Sequence, residues 1–500
     1  MKDQNPEIDE LLICYKFPPT TRVSGIVFAK RLIVSKKTVD LIQGPIDEEN
    51  LDEDFNKIVD EFVAKRMIVK SKIKALNWKS ISTFNEKGLK ELESSGKEYK
   101  KIYSRAGSHE SNFLSLEYKL KHPKTFWSAE FSDPLRTTIE NTKRGSVKNK
   151  GLYPDNDYIE RINEEINSIN KERESEKKAE LELISKDDNL FVLCEYLAFL
   201  FADELVFTNE NQKEMMLSLY SDDVKELVDS KSRISVHPTL DEEYYHKVES
   251  DYEIDSSYIN FGYFGTYLGR RHLEYIYYAF ETLNPKVKDK YRIHIFTPNH
   301  GSLKKLTRNL EIGENIVLHK TAPLLEFLNL TTKFDVLIVN DLNTYDNFEK
   351  NPFLPSKLAD YIGSGRDIWA ICEDGSIMSK YDLKYKSDVS DYNSSLETLK
   401  KIFEEKLDEE IDFANINPEK SLSKYFEKRV YELNGVIEAD EYQNDNLKKK
   451  AKENKAKISK LEKKNKKLAK EIKETKATKG WIKYKSKNIY NRTLKKKINN

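Results

Sequence analysis

The chain alternates short apolar runs with stretches of helical periodicity, and this alternation limits the possible folds more than any other feature of the sequence. Between residues 10 and 44 the strand-like run ELLICY is followed by a loop, FPPTTRVSG, a helical run, IVFAKRLIVS, and a second strand-like run, TVDLIQG. Further strand candidates lie at 101–105, 125–131 and 203–209. Strands that alternate with helices pair in parallel through crossover connections. The sequence therefore predicts an α/β fold.

A second series of the same kind begins at residue 258. The strand-like YINFGYFG (258–265) precedes a helical run, and three more apolar runs, YRIHIFTP, ENIVLHK and FDVLIVND, lead to NPFLPSKLADYIGSGRDIWAI (351–371). Two series predict two doubly wound domains of Rossmann type, in which ligands sit at the carboxyl ends of the strands. The predicted organisation is a first domain (1–240), a linker (241–257), a second domain (258–420), a closing helix (421–440) and a basic helical tail (441–500).

Two segments interrupt the alternation in the first domain. Residues 52–100 are predicted to be a charged helical stretch. Residues 140–190 are predicted to form a loop and then a polar helix that is solvated or acts as a lid, because acidic and basic residues dominate it. No run of 18 apolar residues occurs, which argues against a transmembrane span. The three scattered cysteines, Cys14, Cys194 and Cys372, suit a reducing compartment, and the predicted location is cytoplasmic.

Charge is distributed unevenly along the chain. The net charge of the 500 residues is zero, but residues 448–500 contain 22 Lys and Arg and 4 Glu, a net charge of +18. Trp, Ile and Tyr interleave with Lys in the last 25 residues, a pattern that suits an anionic membrane surface. A solubilising extension is the alternative. Nucleic-acid binding is not expected, because the remainder of the chain is acidic and backbone affinity needs a basic working face.

The segment FGYFGTYLGRR (261–271) is a candidate phosphate site. Gly262, Gly265 and Gly269 surround the exit of a strand, and Arg270 and Arg271 open the next helix. Glycines let the backbone approach a ligand, and helix starts favour anions. An ordinary strand-to-helix turn is the alternative interpretation of the same pattern.

The segment 351–371 carries a second candidate. Ser356 is expected to cap a helix whose first turn contains Lys357, and a cation there is unfavourable for the helix dipole unless an anion compensates it. Asp360 lies one turn later and could accept hydrogen bonds from a ribose. A surface lysine and aspartate on an ordinary helix would give the same sequence.

In the first half, three loops follow strands and are expected at one edge of the sheet. They carry Ser24 and Gly25, then Arg105 and His109, then Glu130 and Asp133. Structural roles are common for a lone histidine or for an aspartate before proline. The support for a functional role of these residues is therefore that each follows a strand at the same edge of the predicted sheet. The Asp-X-Asp spacing of DND (155–157) lies in a loop and is set aside, and His237 and His246 lack the further ligands of a zinc site. No nucleophile elbow, Walker loop or GxGxxG is present.

These pieces together resemble the retaining glycosyltransferases of the two-Rossmann-domain (GT-B) type, in the large bacterial family 4 that includes cell-surface polysaccharide and teichoic-acid enzymes. The matching segments occur in the family's order over about residues 10–375: PPTTRVSG, FWSAEFSDP, ADELVFTNENQKEMM, FGYFGTYLGRR and NPFLPSKLADYIGSGRDIWAI. The resemblance implies two domains facing across a cleft, with a nucleotide-sugar donor, most simply a UDP-sugar, on the second. It implies no metal or other cofactor.

The resemblance also assigns residues. It implies that Arg270 and Arg271 hold the diphosphate, with Thr266 in place of the family's usual arginine. Ser356 and Lys357 match the loop that reaches phosphates and sugar. Asp360 matches the second acid of the family's paired-Glu motif, a ribose binder, while Pro352 or Phe353 replaces the first acid.

In the first domain, the resemblance implies that Gly25 lets the diphosphate approach. The further donor contacts are Gly265 and Thr266, and the catalytic candidates are His109, Arg270, Arg271 and Lys357. The candidate contacts to sugar or acceptor are Ser24, Arg105, Glu130 and Asp133.

The predicted function is therefore metal-independent transfer of a sugar, with retention, to a cell-surface glycan, teichoic-acid or lipid-linked acceptor. Such an acceptor would suit a peripheral position on a membrane through 448–500. The alternatives are a catalytically weak or inactive partner subunit, which the missing acid and Thr266 favour, and a sugar-nucleotide epimerase.

Overall fold

The computed structural model describes residues 8–46, 51–70, 76–145, 150–266, 273–281, 285–298, 300–307 and 312–409, with residues 459 and 463. Two compact units are formed by discontinuous stretches of chain. The first comprises Met1–Glu249, Pro323–Asn329 and Lys350–Ser364, and the second comprises Ser250–Ala322, Leu330–Glu349 and Gly365–Asn500. The predicted closing helix and, apart from residues 459 and 463, the predicted basic tail lie outside the described residues.

The first unit contains a parallel sheet of seven strands. Its strands are β1 (Glu10–Ile13), β2 (Val39–Gln43), β3 (Val63–Ile68), β4 (Lys101–Arg105), β5 (Phe126–Phe131), β6 (Glu204–Phe207) and β7 (Ser232–Ile234). The strand order is β3-β2-β1-β4-β5-β6-β7. Its helices are α1 (Val23–Ser35), α2 (Glu53–Asp60), α3 (Trp78–Ser94), α4 (His109–Lys121), α5 (Asn156–Ser175), α6 (Leu190–Phe201), α7 (Glu210–Leu217) and α8 (Asp222–Asp229). Short 3₁₀ turns lie at Lys150–Leu152 and Glu242–His246.

The second unit contains a parallel sheet of six strands. These are β8 (Ile259–Phe264), β9 (Tyr291–Phe296), β10 (Ile316–His319), β11 (Val336–Asn340), β12 (Asp367–Cys372) and β13 (Tyr385–Asp388), in the order β10-β9-β8-β11-β12-β13. The helices of this part of the chain are α9 (Glu274–Glu281), α10 (Pro285–Lys288), α11 (His300–Thr307), α12 (Leu324–Thr331), α13 (Lys357–Gly363) and α14 (Tyr392–Leu407), with 3₁₀ turns at Gly313–Asn315 and Met378–Lys380. Of these, α13 and most of α12 belong to the first unit.

Both sheets have the strand order of a doubly wound Rossmann-like fold, so the predicted fold class is confirmed. The order reverses between β1 and β4 in the first sheet and between β8 and β11 in the second. The strands nearest each reversal are covered on both faces, which is why they are continuous apolar runs in the sequence. In β11, for example, all five residues are buried.

Three strands were missed because they lie at or beside an edge and carry little apolar sequence. β3 falls within the stretch predicted to be helical, and most of its side chains are exposed or half-buried. β7 and β13 have only three and four residues. Within residues 140–190 the predicted helix is present as α5, but the prediction that it is solvated or acts as a lid was wrong, because Ile159, Ile162 and Ile166 pack into the main core of the first unit.

Candidate functional site

The turn after β8 provides the strained backbone that the glycine pattern predicts. Gly265 has φ +139°, a region that residues with a side chain rarely adopt. The hydroxyl of Tyr263 donates to the carbonyl oxygen of the exposed Thr266 at 3.4 Å, which holds the turn against its own strand. Arg270 and Arg271, the predicted diphosphate ligands, lie outside the described residues, and their roles stay predictions.

Asn340 ends β11, the strand next to β8, and therefore lies where the order of the second sheet reverses. Side chains alternate along a strand, so Asn340 faces the same side as Val336 and Ile338, which pack in the core formed with α9 and α14. The residue is 4% exposed, and its amide Nδ2 is buried with no hydrogen-bond partner among the described residues. Buried donors of this kind are rare. Asn340 was not among the predicted site residues, although a polar residue at the end of an apolar strand is visible in the sequence.

The turns after β11 and β12 carry acidic side chains beside this position. Glu373, directly after β12, accepts hydrogen bonds from the backbone amide of Thr344 and, at 2.7 Å, from its hydroxyl. The backbone amide of Glu373 donates to Asp341 Oδ2 at 3.1 Å. These contacts link the turns after β11 and β12 at one edge of the sheet. The second unit therefore presents a fixed polar edge beside Asn340.

In the first unit two glycines at the β1–β4 reversal are closely packed, Gly25 of α1 against the loop after β1 and Gly107 of the turn after β4 against α1. A Cβ atom on Gly25 would lie 2.0 Å from the carbonyl oxygen of Lys16, and one on Gly107 would lie 2.0 Å from Ser24 Oγ. The structure therefore explains both glycines by local packing and places Ser24 beside the turn that precedes His109. The predicted contact of Gly25 and Ser24 with a ligand stays a prediction.

His109 is the first residue of α4, at the same edge. Its ring meets Phe191 edge-on at 4.7 Å, and its Nε2 is buried with no partner among the described residues. Burial, with a smaller effect from Arg144, lowers the pKa of His109 to about 4. The imidazole is consequently neutral at pH 7 and resists protonation, and its predicted catalytic role stays a prediction.

Arg105 and Glu130 are brought together in the interior. Both are buried, at 2% and 0% exposure, and the guanidinium of Arg105 pairs with Glu130 Oε1. Arg31 of α1, which the sequence analysis missed, donates to the same oxygen from Nε at 2.9 Å, and Tyr103 donates to Oε2 at 2.7 Å. Burial, and then the neighbouring charge of Arg31, lowers the pKa of Arg105 to about 10.

The pair therefore has internal partners, and its predicted contact with sugar or acceptor stays untested. Asp133, in contrast, is exposed in the turn after β5, and its negative charge raises the pKa of Arg105 against the larger lowering by burial. Its predicted contact is likewise untested.

The segment 350–364 is part of the first unit. Side chains of that unit donate to its backbone carbonyls: Asn211 to Asn351 at 3.0 Å, Asn209 to Pro352 at 3.2 Å, His237 to Leu354 at 3.1 Å and Tyr245 to Asp360 at 2.9 Å. These contacts fix the path of the segment on both sides of Ser356 and Lys357. Such pairings join residues more than 100 positions apart and have no local signal in the sequence.

The expected cap at Ser356 was wrong. Ser356 has helical backbone angles and makes no side-chain cap to α13, which starts at Lys357 after Pro355. Lys357 lies in the same turn as Asp360. Burial raises the pKa of the Asp360 carboxyl, and the charge of Lys357 lowers it slightly. The predicted contact of Lys357 with phosphate stays a prediction.

Asp360 itself is 3% exposed and forms an ion pair with Lys30 of α1, which is also 3% exposed. Its carboxylate is thus engaged inside the first unit. Its predicted ribose contact remains without support.

No three or more His, Cys, Asp or Glu residues cluster as a metal site would require within the described ranges. None of the helices resolved in those ranges is long and apolar enough to cross a membrane. The set-aside DND motif supplies a helix cap, since Asp155 accepts from the backbone amide of Tyr158 at 2.9 Å. Cys14, Cys194 and Cys372 are free and buried.

No protein-family profile matches the sequence, and no curated protein matches it. Among solved structures, the chain is similar to Anabaena HepE in complex with UDP-glucose (9% identity, 80% of this chain and 90% of that chain, TM-score 0.48). It is also similar to a glycosyltransferase from Rickettsia africae (9%, 79% and 88%, TM-score 0.48) and to the lipopolysaccharide outer core galactosyltransferase WaaB (10%, 79% and 91%, TM-score 0.46). The fold assignment rests on the strand orders of the two sheets.

Proposed function

We propose that this chain is a glycosyltransferase of the two-Rossmann-domain type that binds a nucleotide-sugar donor, most simply a UDP-sugar, at the carboxyl edge of its second sheet. The observation that carries the proposal is the buried amide of Asn340 at the β8–β11 reversal, next to the left-handed turn at Gly265. Ligands of doubly wound sheets bind at this reversal. The resemblance of the quoted sequence segments to family-4 enzymes supplies the class of ligand.

The proposed reaction is transfer with retention and without a metal. As the bond to the sugar breaks, the leaving diphosphate gains negative charge and the sugar gains oxocarbenium character. Arg270 and Arg271 are proposed to stabilise the diphosphate, with Lys357 as a further candidate. Removing one such donor typically lowers the rate about 100- to 1000-fold. The acceptor is proposed to be a cell-surface glycan or a lipid-linked molecule.

Binding and turnover test the proposal separately. Titration calorimetry of the full chain with UDP and UDP-sugars should give saturable binding, and Asn340→Asp should weaken it about tenfold, because a donor is replaced by an acceptor of equal size. Thermal melting should confirm that the variant is folded. Slow release of UDP from the preferred donor should be lost in Arg270→Ala and Arg271→Ala. No binding of any nucleotide sugar would refute the proposal.

A catalytically inactive partner subunit is the second candidate function. The observation that favours it is Asp360, whose carboxylate pairs with Lys30 inside the first unit, together with Pro352 and Phe353 in place of the family's other acid. An inactive partner would bind donor, or bind nothing, and would release no UDP on its own. Donor hydrolysis by the purified chain therefore separates the two functions.

A further inference from the structure

A cavity of about 270 Å³ opens in the first unit, lined by helix α1, by strands β1, β2, β4 and β7, and by the residues that follow β7. Its lining includes Glu10, Val39 and Lys101, the first residues of β1, β2 and β4. Since all strands of the sheet are parallel, this edge is opposite the edge that carries Ser24, His109 and the turns at the β1–β4 reversal. The lining also includes Arg31 and Tyr103, which both donate to the buried Glu130.

The inner walls are apolar. Leu12, Phe28, Leu32 and Val39 line the cavity and are themselves buried. At about 30 Å³ per water molecule, the volume corresponds to roughly nine waters, enough for a compact ligand of about ten non-hydrogen atoms. Pockets with apolar walls and a few placed polar groups are typical of small-molecule sites.

The polar groups at the opening carry an excess of positive charge. Glu10 lies 3.0 Å from the ammonium of Lys37 and 3.7 Å from that of Lys101, so one carboxylate serves two cations. The side chains of Lys37 and Lys101 are 59% and 33% exposed, and that of Arg233 is 44% exposed. All three can therefore reach a ligand at the opening.

Cations also outnumber carboxylates in the ion pairs beside the cavity lining. Arg233 pairs with Glu204 at 2.7 Å, while Arg31 and Arg105 share Glu130. Among the described residues that line the cavity or pair directly with its lining, four cations face three carboxylates, an excess of one positive charge. A partly desolvated excess of this kind favours an anion.

We propose that this cavity binds a small amphipathic anion, with a carboxylate or phosphate at the opening and a short apolar body inside. The anionic group lies against Lys37, Lys101 and Arg233, and the body packs on Leu12, Phe28 and Leu32. Glu10 competes with the ligand for the two lysines. The proposal is independent of the proposed donor site, since that site lies on the second sheet and the cavity is lined only by residues of the first unit.

Titration calorimetry of the full chain with octanoate, octyl phosphate and 1-octanol at low ionic strength tests the chemistry. Both anions should bind, and octanol should bind at least tenfold more weakly. Added salt should lower the affinity of the chain for both anions. The tighter of the two anions identifies the head group. Equal binding of octanol would overturn the proposal, as would the absence of binding by either anion at millimolar concentration.

Variants at the opening test the site. Lys101→Gln and Arg233→Gln should each lower the affinity for the anions several-fold. Glu10→Gln should raise this affinity several-fold, because Lys37 and Lys101 lose the carboxylate with which they pair. Lys36→Gln is the matched control, since Lys36 is the neighbouring exposed lysine and does not line the cavity. Unchanged or weaker binding in Glu10→Gln would contradict the charge argument, provided that its thermal melting matches that of the natural chain.

Discussion

The buried ion pair between Lys30 and Asp360 gives the most decisive test of how the segment 350–364 is held. The side chains are 4% and 5% exposed, so neither charge is compensated by water. Removing one partner leaves the other charge buried and should cost about 3–5 kcal/mol of unfolding free energy. We therefore expect Lys30→Met and Asp360→Leu each to destabilise the protein by about this amount.

The double variant should behave differently. Burial raises the pKa of the Asp360 carboxyl although Lys30 and Lys357 oppose this, so the pair recovers less than its desolvation costs. Replacing both charges with apolar side chains should return most of the lost stability, and a gain of about 1–4 kcal/mol is within the range seen for such swaps. Additive losses in the double variant would refute the coupling.

Urea unfolding followed by circular dichroism measures these free energies, and UDP affinity separates the two roles of Asp360. If Asp360 serves only Lys30, the isosteric Asp360→Asn leaves UDP affinity unchanged under conditions in which the variant is folded. If Asp360 binds the ribose, Asp360→Asn loses affinity while Lys30→Met keeps it. The pH dependence adds a check. Because the folded pKa is raised, the natural chain should lose stability relative to the double variant as pH rises above about 4 through that pKa.

Three further predictions concern stability and backbone. Burial lowers the pKa of His109 to about 4 and that of His237 to about 3. The free energy of unfolding should therefore fall as pH drops from about 6.5 toward 4, by about 1.4 kcal/mol per pH unit for each histidine. His109→Gln should reduce this slope when unfolding is measured at several pH values. Burial raises the pKa of Glu195 to about 7, so Glu195→Gln should gain stability relative to the natural chain as pH rises from 4.5 to 7; a pH-independent difference would contradict this. Gly265→Ala should cost about 1–2 kcal/mol in thermal unfolding, since φ is +139°, and should weaken donor binding.

The fold was largely predictable because its signals are local. Central strands such as β1, β4 and β11 are covered on both faces and appear as short apolar runs, and the alternation with helices implied two parallel sheets. The edge strands β3, β7 and β13 were missed, since an edge strand needs few apolar residues. The helix α5 was misjudged because three isoleucines at helical spacing bury one face of an otherwise charged segment.

The candidate site was less predictable because its geometry depends on distant residues. The order of the strands placed Ser24, His109 and Asp133 at one edge of the sheet correctly in outline. It could not show that Arg31 joins Arg105 and Glu130, because these residues meet only through the packing of α1 on β4 and β5. Sequence position also could not pair Lys30 with a residue 330 positions later.

The ion pair of Asp360 with Lys30 bears on which residues could take part in catalysis. In the resembled family, two acids of one segment handle the donor; here Pro352 and Phe353 replace the first, and Lys30 holds the second inside the first unit. Lys357 begins the helix that carries Asp360, and it stays a candidate cation for a leaving diphosphate together with Arg270 and Arg271. If the chain is an enzyme, Arg270→Ala and Arg271→Ala should each lower the rate of UDP release about 100- to 1000-fold, and Asp360→Asn should change it little. Loss of UDP release in Asp360→Asn at unchanged folding would show that the carboxylate leaves Lys30 during the reaction, and no release by the natural chain would favour the inactive partner.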